Sequence, residues 1–199
     1  MLTALKPGLI DPVMDSQAVF RRTMDALAQP GTLQDLALTL DPPAPLTPEL
    51  AAIALTLADH EAPLWLDAAL GSSRDVVDYL RFHTGAAIVS DPQDAAFALI
   101  CDPASMPRLD AFSIGIQEYP DRSTTLVIAV ETLAVSGGFT LTGPGIATTA
   151  QLHAAPLPTD FLAQWQANRS LFPCGVDLIF IAPGRIAGLP RSTVVTEEG

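Results

Sequence analysis

Two short stretches set an arginine beside hydroxyls: Asp121-Arg122-Ser123-Thr124 and Pro190-Arg191-Ser192-Thr193. A guanidinium carries permanent charge and a planar fork of donors, so either loop suits an oxyanion such as phosphate. The plainer alternative is a pair of exposed loop arginines. A third stretch, GGFTLTGPGI at 137–146, sets Gly143 and Gly145 around a proline. Glycines there either admit a ligand close to the backbone or turn the chain. A phosphate-cradling Walker loop also needs Lys followed by Ser or Thr, and the sole lysine is Lys6. No G-x-G-x-x-G opens a helix either, so a strand ending in a tight turn is the favoured reading. The candidate ligand or anion contacts are therefore Arg191, Ser192, Thr193, Arg122, Ser123, Gly143 and Gly145.

Other chemistries leave weaker traces. His60, His83 and His153 stand far apart with no metal-ligand spacing, so no metal site is expected. Asp59-His60-Glu61 sets an imidazole between carboxylates, and a solvated helix end accounts for it. No G-x-S-x-G elbow is present. Cys174, in LFPCGVD, reads as a small packing residue at a turn. Arg169 at a helix end suits the negative end of the helix dipole. Pyridoxal phosphate catalysis needs an interior lysine, and Lys6 precedes the first helix, so no cofactor is expected. No catalytic acid, base or nucleophile can be identified.

The elements that must position these residues follow from patterning. The chain has 199 residues, 49% of them hydrophobic, and fits one domain over 1–199, with 1–10 a mobile end and 194–199 a tail. A net charge of −12 with ten basic residues argues against nucleic acid. No apolar run reaches membrane-span length and no signal peptide is visible, so a cytoplasmic location is expected, in keeping with two unpaired cysteines.

Asp15 or Ser16 is expected to cap a first helix burying Phe20, Met24 and Leu27, stopped by Gln29-Pro30-Gly31. Thr47-Pro48-Glu49 starts a second helix, running to about Asp59, and Ser73 a third, ending near Gly85. PLWLD, AAIVS, FALICD and VDLIFIA read as strands. TTLVIAVETL (124–133) reads as one central strand, with FTLTG paired to it or lying near it, and Leu157–Leu171 as the last long helix. Interleaving makes the fold α/β: three layers, a mixed sheet with helices on both faces, and a small antiparallel part around 139–149.

DPVMDSQAVFRRTMDALAQPGTL, DHEAPLWLD, YPDRSTTLVIAVETL, LTGPGI, LPTDFLAQWQANRSLFPCGVDLIF and LPRST, in this order over roughly 11–193, resemble the H-subunit family of the carbon–phosphorus lyase system, which degrades phosphonates. The Arg122 stretch follows the family pattern less closely than LTGPGI and LPRST. The resemblance implies the fold of the large domain of pyridoxal-phosphate-dependent transferases without the cofactor. It also implies a homodimer that joins subunits G, I and J. With I, G and the L protein, such a subunit takes part in replacing the adenine of ATP by a phosphonate, giving a ribose 1-phosphonate 5-triphosphate. The apolar composition is itself in keeping with a homodimer. A different class of function stays open: a stand-alone enzyme or binding protein for a small phosphorylated ligand, held at Arg191 and Gly143–Gly145.

Overall fold

The computed structural model describes residues 5–37 and 39–197. In chain order the elements are α1 (Pro12–Ala28), β1 (Gln34–Asp35), α2 (Pro48–Leu57), β2 (Leu64–Leu66), α3 (Ala68–Gly71), α4 (Arg74–Thr84), β3 (Ile88–Val89) and β4 (Phe97–Ile100). There follow β5 (Ile114–Ile116), β6 (Tyr119–Ser123), β7 (Thr125–Ala129), β8 (Thr132–Thr142), β9 (Ala150–Ala155), α5 (Phe161–Ser170), β10 (Asp177–Ala182), β11 (Arg185–Leu189) and β12 (Val194–Glu197).

Seven strands form a mixed sheet in the order β1-β11-β10-β7-β4-β2-β3. The strands from β10 to β3 run parallel, and β11 is antiparallel to both its neighbours. Among the parallel strands the order changes direction between β2 and β4, because β3 lies outside β2 while β7 and β10 lie beyond β4. Such a reversal is where an open α/β sheet leaves a crevice outside its strand carboxyl ends.

Strand side chains alternate between two cores, as a pleated sheet buried on both faces requires. Leu99, Val127, Ile179 and Ile181 face a core shared with Val19 and Ala26 of α1, Leu50 and Ile53 of α2, and Val76, Tyr79 and Leu80 of α4. Ala98, Ile100, Leu126, Ile128, Leu178 and Phe180 face the other, with Phe161 and Trp165 of α5 and Leu141, Leu152 and Val195 of a three-stranded sheet ordered β12-β8-β9. Helices thus cover both faces, and the expected antiparallel part is this second sheet.

The second and third helix starts lie where their caps put them: Thr47 accepts from Leu50 N, Ser73 accepts from Val76 N, and Gly85 ends α4 with left-handed φ. Other expectations need correction. The first helix is capped not by Asp15 or Ser16 but by Asp11, whose side chain accepts from Val13 N and Met14 N ahead of Pro12. Its buried face is Val19, Thr23 and Ala26, while Phe20 and Met24 stay 49% and 41% exposed. Small residues are needed because α1 lies directly on β11: a Cβ on Gly188 would come within 2.6 Å of the Ala26 carbonyl oxygen.

The run 124–133 is two strands, not one. Val130 N donates to Ile181 O in the main sheet, but Glu131 N donates to Ala155 O in the small one, so the chain changes sheets there. FTLT therefore pairs with β9 and β12, not with β7. Pro158 and Asp160 precede α5 as a turn, so the helix begins at Phe161 rather than Leu157. The expected tail forms β12 up to Glu197, with Val195 buried; residues 198–199 lie outside the described residues. Of the expected mobile end, residues 5–10 carry no helix or strand but rest on α4, where Tyr79 OH donates to Pro7 O and His83 Nε2 lies 3.0 Å from Lys6 O.

Candidate functional site

The two look-alike arginine stretches meet at the amino ends of β7 and β10. Arg191 lies in the turn after β11, closed by Thr193 N donating to Pro190 O. Its guanidinium faces Asp177, the first residue of β10: Nε donates to both carboxylate oxygens at 3.1 Å, and Nη2 bonds Oδ2 as well. Arg191 Nη2 also donates to Ser123 Oγ at 2.5 Å, and Nη1 to Pro120 O at 2.9 Å. The arginine side chain is 13% exposed and that of Asp177 22%. The fork that could grip an oxyanion is holding the protein's own carboxylate, and a phosphate would have to displace it.

The remaining candidates fall around this tie. Arg122 turns away, its guanidinium carbon 4.3 Å from the ring centroid of Tyr119. Gly143, with φ +135°, lies beside Ser192 and Thr193, where an added Cβ would come within 3.2 Å of Ser192 O. Gly145, with φ +82°, backs onto the end of α1, and a Cβ there would sit 2.2 Å from Ala28 O. Thr193 is fully buried, and its carbonyl accepts from Trp165 Nε1. The structure therefore gathers Gly143, Gly145, Ser192 and Thr193 at a junction between β8, β11, β12 and α1, and leaves Arg122 on β6.

Concavity lies at the opposite end of the sheet. Outside the carboxyl ends of β4, β7 and β10 is a cleft of about 490 Å³. Its walls are Thr47-Pro48-Glu49 at the start of α2, Cys101-Asp102-Pro103 after β4, Val130 and Glu131 between the two sheets, Pro156 after β9, and Ala182-Pro183 after β10. None of the seven sequence candidates lines it. The signal missed was the place where the main strand ends and the chain changes sheets, which opens the gap between them.

One buried carboxylate at the sheet's reversal point holds a wall of the cleft from behind. Asp67, just past β2, accepts from Cys101 N at 2.7 Å, Asp102 N at 2.9 Å and Leu70 N at 2.9 Å. It thereby fixes the turn after β4 that carries Asp102 and Pro103. The Cys101 thiol donates to Asp67 at 3.6 Å. Burial first, then the nearby Asp67 charge and this hydrogen bond, push Cys101 up to about 12. The thiol stays protonated at neutral pH, so Cys101 is no nucleophile there.

The cleft's polar side chains are mostly acceptors, the Thr47 hydroxyl being able to donate as well. Glu49 accepts from Gly184 N at 2.9 Å, and Asp102 accepts from Ser105 Oγ at 2.6 Å. The Glu131 carboxylate has no hydrogen bond or ion pair among the described residues. No arginine or lysine lines the cleft. Lys6 is tied to Asp41 at 2.9 Å, far along the chain from these strand ends. The histidines are scattered: His60 in the turn after α2, His83 on α4, His153 on β9. Among the described residues no three His, Cys, Asp or Glu side chains are grouped to hold a metal ion, and no helix is long and apolar enough to cross a membrane.

A family model described as bacterial phosphonate metabolism protein (PhnH) matches residues 7–196. The chain is 44% identical over 190 residues to "Alpha-D-ribose 1-methylphosphonate 5-triphosphate synthase subunit PhnH" of Rhizobium meliloti (strain 1021), covering 94% of each chain. It is 29% identical over 187 residues to HtxG of Stutzerimonas stutzeri, named as a candidate C-P lyase subunit protein, covering 92% of this chain and 87% of that one.

Proposed function

Since the chain belongs to the PhnH family of bacterial phosphonate metabolism proteins, we propose that it works as the H subunit of a carbon–phosphorus lyase core complex. In that role it joins subunits G, I and J, and with I, G and the L protein supports replacement of the adenine of ATP by a phosphonate. The product is α-D-ribose 1-methylphosphonate 5-triphosphate. The supporting observation is the end-to-end match, 94% of each chain, to a synthase subunit of that name. A cytoplasmic location and the transferase-like fold belong to the same reading; the seven-stranded mixed sheet covered by helices on both faces is in keeping with that fold.

A surface for assembly supports this role. On α1, Val13, Phe20 and Met24 recur at helical spacing and are 75%, 49% and 41% exposed. Met14 and Ile10 extend this apolar area, and Arg21 and Arg22 flank it. Exposed large apolar side chains gathered on one helix face favour a protein contact, either with a second copy in a homodimer or with another subunit. The anion-binding alternative has less support, because the donors of Arg191 already serve Asp177, Ser123 and Pro120. Affinity purification of the tagged chain from cells expressing subunits G, I and J tests the proposal. Recovery of all three in stoichiometric amounts is expected; recovery of the chain alone refutes a core-complex role.

A further inference from the structure

We infer that the cleft outside β4, β7 and β10 takes the neutral, hydroxyl-bearing part of its ligand, a ribosyl or nucleoside cis-diol, and leaves any phosphate or phosphonate outside. The inference rests on the proposed synthase role for the identity of the sugar. The class of ligand follows from the lining itself. Four of the lining residues are prolines, Pro48, Pro103, Pro156 and Pro183, which have no backbone N–H to offer. The acidic side chains, Glu49, Asp102 and Glu131, accept only. Against these three carboxylates the Thr47 hydroxyl can donate one hydrogen bond, so a lining richer in acceptors than in donors selects a ligand that donates.

A sugar cis-diol presents two O–H donors at the spacing of one carboxylate, and an acidic residue near a strand end serves a ribose in this way in dinucleotide-binding sheets. Glu131 has both oxygens uncommitted among the described residues, whereas Glu49 and Asp102 each already receive one hydrogen bond within the protein. Glu131 is therefore the diol acceptor. Ala129, Val130, Ile181 and Ala182 supply apolar contact for a ring, and about 490 Å³ accommodates a nucleoside. With three carboxylates and no cation, the cleft repels a triphosphate. The cleft itself offers no cationic group to the anionic end, and an adjoining subunit is the source that the proposed core complex supplies.

The test is calorimetric titration of the isolated chain, and of the chain within its complex, with adenosine, 2′,3′-dideoxyadenosine, ATP and inorganic phosphate. Adenosine should saturate one site on the isolated chain, with affinity falling at least tenfold for the dideoxy compound and at least tenfold for Glu131→Gln. ATP should bind the isolated chain more weakly than adenosine and gain affinity in the complex. Glu131 is an exposed side chain without a partner, so Glu131→Gln should keep its melting temperature. Tighter binding of ATP or phosphate than adenosine by the isolated chain overturns the inference, as does binding indifferent to the diol and to Glu131→Gln. No saturable adenosine binding in either form also overturns it. A chain that binds adenosine this way yet recovers no G, I or J contradicts the subunit role instead, and leaves the diol site standing.

Discussion

The hydroxyl of Ser123 receives a 2.5 Å hydrogen bond from Arg191 Nη2, so two stretches with the same Arg-Ser-Thr lettering touch across 68 residues of sequence. The bond belongs to a cluster completed by Asp177, and it joins the amino ends of the central strands to the loop leading into β12. The arginine ties β10, β6 and the loop into β12 together at the end remote from the cleft.

Arg191→Ala should accordingly act on stability. It leaves Asp177 half-buried without its partner and removes charged hydrogen bonds of about 1.5–3 kcal/mol each, which are not additive. A net loss of about 2–4 kcal/mol is expected in urea unfolding, and phosphate affinity should not change. Wild-type stability with lost phosphate binding would restore an anion-holding role.

The Gly143-Pro144-Gly145 turn should respond unevenly to alanine. Gly145→Ala meets Ala28 O at 2.2 Å and Pro30 Cδ at 2.9 Å in a left-handed conformation, whereas Gly143→Ala meets Ser192 O at 3.2 Å. The first should cost well over about 1 kcal/mol and the second less. Thermal melts of both variants check the order; equal melting temperatures contradict the packing described.

Alkaline pH should weaken the fold through Cys101. Its folded value is raised, so its contribution is fully present below the ordinary value of 9.0 and is lost as pH rises toward about 12. Burial raises Tyr79 above 10.0, which adds to the same trend. Cys101→Ala should flatten the decline in melting temperature above pH 9, and in the native protein iodoacetamide should label Cys101 far more slowly than the unfolded chain at pH 8. Rapid native labelling of Cys101 would contradict a protonated, Asp67-bonded thiol.

The exposed face of α1 should matter for association and little for folding. A Val13→Ser, Phe20→Ser chain is expected to keep its stability within about 1 kcal/mol. Sedimentation at micromolar concentration should show the wild type above its 20.9 kDa monomer mass, or bound to G, I and J when they are present, and the variant impaired in both. Unchanged association would remove α1 from any interface.

The sequence made legible whatever local chemistry decides. Thr47 and Ser73 announce helix starts, Gly85 a helix end, and the apolar runs of β4 and β10 their strands. It hid what depends on tertiary contact. Phe20 and Met24 carry the strongest apolar period on α1, yet close approach to Gly188 selects Val19, Thr23 and Ala26 for the core. The run through Val130 and Glu131 has uniform β propensity, so nothing local marks the change of sheet that opens the cleft. The arginine loops read as anion ligands because sequence shows donors but neither Asp177, the acceptor that occupies Arg191, nor the Tyr119 ring under Arg122. The family resemblance was legible because its stretches are structural: in NRSLFPCGVD, Asn168 bonds both Val176 N and Val176 O, which fixes the entry to β10.

The proposed H-subunit role predicts participation in phosphonate breakdown. It is tested most directly by growth, on methylphosphonate as sole phosphorus source, of a bacterial strain that has its other carbon–phosphorus lyase genes but lacks its own H subunit and carries this chain instead. Restored growth that depends on the chain is expected, with growth on inorganic phosphate unchanged. Failure to grow, with the chain expressed, folded and recovered together with subunits G, I and J, would contradict it.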